Sequence, residues 1–295
     1  LGDNLEQHLT GLLSGQSGLS VVENVSTLHR DHIRVGEIKH TNDFLAQQLG
    51  LPVVNHYSRT GLLGIWALKE AIARAGLTPT EVAQLSMVMA SSVGGMDMTE
   101  RYFYAYTTQE ELRRYIPYHN IGEVTGQIAD YFGIKGYVTS VSTACSSSAN
   151  AILTAANLLR TGRAQRIAVG GADALSVFTI NGFNSLMILS DADCTPFDAH
   201  RKGLNLGEAG AFLIMEREAT ALAEGRTIIG VLSGWGNAND AYHQTASSEE
   251  GEGAFLAMER ALHLSGLIPS DIDYINAHGT ATVNNDLSES RALMR

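Results

Sequence analysis

Cys145 is placed where a cysteine can become a nucleophile. Residues 137–143 before it are β-branched and aromatic and predict a short buried strand. Residues 145–160 are rich in Ala, Leu and Ile and predict a helix that Gly162 ends. At this junction the unpaired amides and the positive dipole end of the helix favour a thiolate over a thiol. The alternative is a small buried residue that fills the core.

His278 is the second candidate for chemistry. It follows a predicted apolar strand at residues 272–276, and Ala277 and Gly279 beside it are small enough to leave room for a substrate. A Cys at a helix start and a His at a strand end form the pair that thiol acyl chemistry requires. The two residues are far apart in the sequence, so a structural His stays the alternative.

A third group, Asp198, Arg201 and Glu208, lies among glycine turns. An Asp and an Arg three positions apart predict a charge pair that fixes a loop. We expect a structural role for this group and assign it no catalysis.

Composition and charge exclude several classes of function. The 295 residues are 44% hydrophobic, and a net charge of −11 does not favour nucleic acid or an anionic membrane as a partner. Two cysteines give neither a disulfide framework nor a zinc spacing, which is typical of a reducing cytoplasm. No apolar run approaches the roughly 18 residues that span a bilayer, and no signal peptide is visible. The glycine clusters lack the spacing of nucleotide-binding loops, and no metal motif occurs.

Strands and helices alternate along the chain, and the strands are apolar on both faces. This pattern predicts an α/β fold with a sheet covered on both sides. Predicted strands cover residues 86–93, 137–143, 166–169, 211–215, 228–233 and 272–276. Predicted helices cover residues 5–13, part of 53–77, 145–160, 253–264 and 286–295. Residues 97–118 are expected to cross the surface, and residues 173–207 to form a functional or interfacial loop.

Three long motifs occur in order along the chain. They are residues 142–148 (Ser-Thr-Ala-Cys-Ser-Ser-Ser), residues 196–210, which begin Pro-Phe-Asp, and residues 276–282 (Asn-Ala-His-Gly-Thr-Ala-Thr) followed by Asn285, Asp286 and Glu289. With these motifs the chain resembles the β-ketoacyl-acyl carrier protein synthases of the thiolase superfamily, of the elongating type. Residues 12–18, 91–95 and 182–183 also fall where that family has similar stretches, so the resemblance covers essentially the whole chain.

The resemblance implies a thiolase-type, five-layered α/β/α/β/α fold with two related halves. Residues 1–226 would form the N-terminal half with the nucleophilic Cys145. Residues 227–295 would begin a C-terminal half that is cut short and carries the catalytic His278. The family's second catalytic His, the Lys before it and the C-terminal gating loop are not in this sequence, so we expect a portion of a longer enzyme.

The implied activity is a decarboxylative Claisen condensation in fatty-acid or polyketide-type chain elongation. Cys145 would carry the acyl group as a thioester, and its amide would supply one donor of an oxyanion hole. His278 would stabilise the enolate that forms as malonyl thioester loses CO2. The remaining site residues implied are Thr280 and Thr282 as contacts of the phosphopantetheine arm, and Phe183, Met96 and Met98 near the acyl pocket, with ordinary core as the alternative for the methionines.

The resemblance also implies partners. Substrates would arrive on the phosphopantetheine of an acyl carrier protein, so no separate cofactor and no metal are expected. A homodimer, or a heterodimer with a related subunit, would form through residues 97–118 and the strand near residue 140. Basic residues that dock the acidic carrier protein would be Arg59, with Arg160, Arg163 and Arg166 as substitutes.

Three alternatives stay open at this point. The three serines that follow Cys145 resemble polyketide and aryl-polyene ketosynthases as much as fatty-acid enzymes. A thiolase acting on coenzyme A esters would share the fold and the Cys. A non-catalytic ketosynthase partner or an incomplete fragment is the third alternative.

Overall fold

The computed structural model describes residues 1–243 and 246–295. Its strands are β1 (Ser86–Ala90), β2 (Val138–Val141), β3 (Arg166–Asp173) and β4 (Ala209–Glu216). Its α-helices are α1 (Leu5–Leu13), α2 (Asn42–Gln48), α3 (Arg59–Arg74), α4 (Pro79–Gln84), α5 (Met96–Tyr102), α6 (Ile121–Phe132), α7 (Ser147–Arg160), α8 (Val177–Ser185), α9 (Glu218–Ala223), α10 (Glu252–Ser265) and α11 (Val283–Met294). Glu110–His119 and Pro269–Asp271 are 3₁₀ helices.

The described residues separate into two compact units. Unit 1 comprises Leu1–Arg30, Val35–Asn181 and Gly207–Ile228. Unit 2 comprises Asp31–Arg34, Gly182–Leu206 and Ile229–Arg295. The predicted division of the chain at residues 226 and 227 stays a prediction.

Unit 1 is built on a four-stranded sheet with the strand order β2-β1-β3-β4. β1 runs parallel to both of its neighbours, and Met87 aligns with Val138 on one side and with Ala168 on the other. β4 is antiparallel to β3, with Val169 opposite Leu213. All five residues of β1 are buried, as expected of a strand that is covered on both faces.

Helices cover both faces of this sheet. Met87 and Met89 pack in the same cluster as the buried residues of α3 and α6. Val88 and Ala90 pack in a second cluster with α7. Because successive side chains of a strand point to opposite faces, α3 and α6 lie on one face and α7 on the other. The predicted sheet with helices on both sides is therefore confirmed.

β3 extends past the point where the sequence predicted its end. The prediction stopped at Val169 because Gly170 and Gly171 follow, yet β3 continues to Asp173. A Cβ at Gly170 would lie 2.0 Å from the carbonyl oxygen of Ala211, in the adjacent strand. These glycines therefore lie inside the strand, where the neighbouring backbone approaches too closely for a side chain.

Three other predictions of local structure are wrong. The expected loop at residues 173–207 contains α8, which the absence of amphipathic periodicity concealed. Residues 228–233 and 272–276 form no strand pairing with any described residue, and Ile229 is 92% and Tyr274 80% exposed. Apolar β-branched composition favours a strand only where neighbouring backbone can bond its N–H and C=O groups.

Other helices follow the prediction closely. α1 has the predicted bounds, and α10 exceeds its predicted range by one residue at each end. No helix within the described ranges is long and apolar enough to cross a bilayer. The same residues contain no group of three or more His, Cys, Asp or Glu side chains that could hold a metal ion.

Candidate active site

Cys145 lies in the turn between β2 and α7. β2 ends at Val141, Ser146 is the N-cap of α7 and the helix begins at Ser147, two residues later than predicted. Cys145 is an exposed residue, so it does not fill the core as the alternative interpretation required. The predicted junction of a strand with a helix N terminus is confirmed.

The turn is held in an unfavourable backbone conformation by hydrogen bonds. Ala144 has a φ of +52°, and the left-handed region costs a non-glycine residue roughly 1–2 kcal/mol. Its carbonyl oxygen accepts hydrogen bonds from Ser147 Oγ at 2.6 Å, from the Ser147 N–H at 3.0 Å and from Ser92 Oγ at 3.1 Å. Ser147 Oγ also accepts from the Thr143 N–H at 2.8 Å. The hydroxyl groups thus connect the turn to the loop after β1.

Cys145 lines a cleft of about 390 Å³. The cleft lies at the carboxyl ends of β1 and β3, where the parallel strands of an α/β sheet place their ligands. Most lining side chains are small, such as those of Ala90, Ala172 and Ala209, and the two carboxylates are those of Asp173 and Glu208. The size is at the lower end of the range for small-molecule pockets.

Asp173 fixes the loop after β1. Its Oδ1 accepts from Ser91 Oγ at 2.6 Å, from the Ser92 N–H at 2.8 Å and from the Val93 N–H at 3.2 Å. Sequence reasoning did not select Asp173 or Ser92. The position of Asp173 at the carboxyl end of a predicted strand, after two glycines, was the signal that could have found it.

Glu208 has the structural role that the sequence predicted, but its partner is Arg59. The carboxylate accepts from Arg59 Nε at 2.8 Å and Nη2 at 2.5 Å, and from the N–H groups of Ile38 and Leu175 at 3.0 Å each. The side chains of Arg59 and Glu208 are 6% and 0% exposed. The pair therefore joins four segments of unit 1, around residues 38, 59, 175 and 208.

Two of the predicted docking arginines are unsuited to a surface role. Arg59 is buried, as just described, and the Arg166 side chain is only 12% exposed because it pairs with Glu81, Glu216 and Glu224. Their prediction as docking residues is wrong, since a protein-binding cation has to be reachable. Arg160 and Arg163 are exposed.

His278 lies in unit 2, on a segment that is hydrogen-bonded to side chains of α11. The backbone N–H groups of His278 and Gly279 donate to the two carboxylate oxygens of Glu289 at 2.7 and 2.9 Å. The His278 residue is exposed. The Glu289 side chain of α11 therefore fixes the backbone at the predicted catalytic His278.

Asp286 joins the Pro-Phe-Asp loop to this segment. It is 1% exposed and accepts from the N–H groups of Phe197 at 2.7 Å and Ala281 at 3.1 Å. The predicted pairing of Asp198 with Arg201 is wrong as a side-chain ion pair. Arg201 donates to the backbone oxygen of Asp198 at 2.9 Å, and its guanidinium lies 3.6 Å from the Asp286 carboxylate.

Thr280 and Thr282 are neighbours on the segment that follows His278. Their hydroxyl groups are 2.9 Å apart, and both residues are half-buried. Phe183, also in unit 2, is half-buried in α8. Cys145 belongs to unit 1 and His278 to unit 2, so the predicted meeting of the two stays a prediction.

Met96 and Met98 lie in the first turn of α5, outside the lining of the Cys145 cleft. Met98 is buried and Met96 half-buried. Asp97 between them accepts from the Arg59 N–H at 2.9 Å through Oδ2. Its buried Oδ1 has no hydrogen-bond partner among the described residues, and burial raises the pKa of this carboxyl group.

Family models and known proteins match the chain along its length. Residues 1–221 match the model of the beta-ketoacyl synthase N-terminal domain, and residues 229–295 match that of the beta-ketoacyl synthase C-terminal domain. The 3-oxoacyl-[acyl-carrier-protein] synthase 2 of Staphylococcus aureus is 30% identical over 305 aligned positions, which cover 99% of the chain and 75% of that enzyme.

Two solved structures extend the comparison to the fold. The ketosynthase ApeO, in complex with its chain length factor ApeC from Xenorhabdus doucetiae, gives a TM-score of 0.80 at 31% identity over 99% of the chain and 72% of the solved one. The ishigamide ketosynthase/chain length factor gives a TM-score of 0.85 at 27% identity over 98% of the chain and 72% of the solved one.

Proposed function

Because the chain belongs to the β-ketoacyl synthase family, we propose that it extends acyl chains by condensing malonyl-acyl carrier protein with an acyl group held on Cys145. The predicted family and the ketosynthase type of α/β fold are confirmed by the matches above. The observation that carries the proposal for the site is the exposed Cys145 thiol, which lies at a helix N terminus and lines a cleft.

In the first step the Cys145 thiolate attacks the thioester carbonyl of an acyl group that the acyl carrier protein delivers. The carbon–sulfur bond to Cys145 forms, the bond to the carrier's sulfur breaks, and the carrier leaves as a thiolate that takes up a proton to become a thiol. The adjacent helix N terminus stabilises the thiolate that this attack requires. The Cys145 N–H is the proposed donor to the oxygen that becomes negatively charged.

In the second step the malonyl thioester loses CO2, and the electron pair of the broken carbon–carbon bond forms an enolate. His278 is proposed to donate a hydrogen bond to the thioester oxygen of this enolate. The enolate carbon then attacks the acyl carbonyl on Cys145, which releases the thiolate and gives a 3-oxoacyl chain two carbons longer. The hydrogen bonds from the His278 and Gly279 N–H groups to the Glu289 carboxylate support a fixed position for the His278 residue.

The remaining predicted residues are proposed to bind parts of the substrate. Thr280 and Thr282 present adjacent hydroxyl groups for the polar phosphopantetheine arm. Phe183, Met96 and Met98 are proposed to line the acyl pocket, since flexible thioethers adapt to an alkyl chain. The acyl carrier protein delivers both substrates, so the chemistry proceeds without a further organic cofactor.

A second ketosynthase-like subunit is the proposed assembly partner, either a copy of this chain or a related chain. The solved ApeO structure contains a chain length factor as well as the ketosynthase. β2 is an edge of the four-stranded sheet, and Tyr137 just before it is 54% exposed, so this edge can pair with another chain. A cytoplasmic location belongs to the same proposal.

The test supplies the intact protein with acyl- and malonyl-carrier protein and measures both released CO2 and 3-oxoacyl product. Cys145→Ala should abolish product, whereas Cys194→Ala, at the other cysteine, should retain it. Product formed from coenzyme A esters without release of CO2 would instead identify a thiolase. A protein that forms no product with any acyl donor would match a non-catalytic partner.

A further inference from the structure

The carbonyl group that precedes Cys145 is unusually well supplied with donors. The Ala144 oxygen accepts from two serine hydroxyls and one backbone N–H, at 2.6 to 3.1 Å. A backbone carbonyl oxygen has two lone pairs, so three donors are more than one for each lone pair. The other end of the same peptide group is the Cys145 N–H.

Donors on a carbonyl oxygen draw electron density from the peptide nitrogen. The N–H of that peptide then becomes a stronger donor, because hydrogen bonds in a chain polarise one another. The same bonds hold the plane of the peptide, which the left-handed Ala144 would otherwise disfavour. Both effects act on the N–H that the proposed function uses for the tetrahedral oxyanion.

We infer that Ser92 and Ser147 are positioning residues for acyl transfer, which fix and polarise the Ala144–Cys145 peptide so that its N–H stabilises the oxyanion. This inference rests on the proposed acyl-carrying role of Cys145. Neither serine touches the reacting atoms in this role; each acts through the peptide group. Asp173 extends the arrangement, since its bonds to the Ser91 hydroxyl and the Ser92 N–H hold the loop that carries the Ser92 hydroxyl.

The two serines differ in their suitability for a test. Ser147 is 4% exposed and its hydroxyl also accepts from the Thr143 N–H, so its loss would remove a second hydrogen bond of the turn as well. Ser92 is exposed, and among the described residues its side chain makes one bond, of 3.1 Å to the Ala144 oxygen. Ser92→Ala therefore removes one donor and little else, and Ser92→Thr restores a hydroxyl.

Two reactions of Cys145 distinguish a role of Ser92 in stabilising the oxyanion from a merely structural role. Acyl transfer passes through an oxyanion, whereas alkylation by iodoacetamide displaces iodide and forms none. Ser92→Ala should slow single-turnover acylation of Cys145 by about tenfold, the value of one hydrogen bond, and leave the alkylation rate unchanged. Ser92→Thr should recover the acylation rate. Ser14→Ala, which removes a 3.0 Å hydroxyl–carbonyl bond at the C-terminal end of α1, should change neither rate.

The outcomes distinguish the inference from the proposal beneath it. The inference is supported if Ser92→Ala slows acylation but not alkylation, and if Ser92→Thr recovers the acylation rate. Equal slowing of acylation and alkylation would show a merely structural role and overturn it, and so would an unchanged acylation rate. If Cys145 takes up no acyl group even in the unsubstituted protein, the proposed function fails and the inference falls with it.

Discussion

Loss of the Glu208 carboxylate should destabilise unit 1 strongly. In Glu208→Leu the Arg59 guanidinium, 6% exposed, keeps its charge but loses both bonds to its counter-charge. The N–H groups of Ile38 and Leu175 lose their acceptor as well. Nothing in a leucine side chain replaces any of these four bonds.

The expected magnitude follows from the burial of the charge. Removing one partner of a buried ion pair costs about 3–5 kcal/mol, because the other charge stays buried and unpaired. Two unsatisfied amides add to this, so we expect a loss of about 5 kcal/mol in the free energy of unfolding. Arg59→Met should cost about 3–5 kcal/mol as well, because it leaves the Glu208 carboxylate buried and removes the donors to His40 O, Asn42 Oδ1 and Ile38 O.

The double variant gives the decisive comparison. Arg59→Met with Glu208→Leu leaves no buried charge, so it should be more stable than Glu208→Leu alone by about 1–3 kcal/mol. Urea denaturation of the intact proteins, followed by far-ultraviolet circular dichroism, measures all four members of the cycle. Additive losses in the double variant, or a loss below about 1 kcal/mol in Glu208→Leu, would contradict the predicted coupling of the two buried charges.

Three further predictions concern pH and close packing. Burial raises the pKa of the Asp97 carboxyl group. Its stabilising contribution is therefore present below the unfolded pKa of about 3.9 and is lost as pH rises through the folded pKa. Asp97→Asn should gain stability relative to the unsubstituted protein as the pH rises above about 4, and a difference in urea denaturation that stays constant with pH would contradict this. The hydrogen bond from the Thr78 N–H lowers the pKa of Glu81 to about 2. Glu81 therefore stabilises the fold above about pH 4.3, and this contribution is lost as pH falls through about 2. Thermal unfolding should find Glu81→Gln less stable than the unsubstituted protein at neutral pH and equally stable in strong acid. An added Cβ at Gly170 would lie 2.0 Å from the backbone oxygen of Ala211, whereas at Gly64 the contact below 3 Å is the Cδ1 end of the Ile128 side chain. Gly170→Ala should therefore cost more than about 2 kcal/mol and more than Gly64→Ala, and equal costs in urea denaturation would count against the close strand approach.

Local patterns predicted the elements that depend on local physics. α1 and α10 follow from apolar spacing with nearby glycines, and β1 follows from a short apolar run. The placement of Cys145 between a strand and a helix could also be predicted, since both neighbours carry clear composition signals. The resemblance of three motifs then supplied the family, which local patterns alone could not.

Contacts between distant segments explain what the sequence could not show. Arg59 bonds Glu208 across 149 positions, and no neighbour of Arg59 in the sequence indicates that it is buried. β3 runs through its glycines because an adjacent strand excludes side chains there. The bond from Ser92 to the Ala144 oxygen likewise joins segments 52 positions apart, so a role for Ser92 became apparent only from the structure.

Mass spectrometry of the intact protein after incubation with an acyl-carrier protein tests the central claim most directly. We predict one added acyl group. Peptide mapping should place it on Cys145, hydroxylamine should remove it as a thioester, and Cys145→Ala should lack it. An acyl group found on Cys194, or condensation that survives Cys145→Ala, would contradict it.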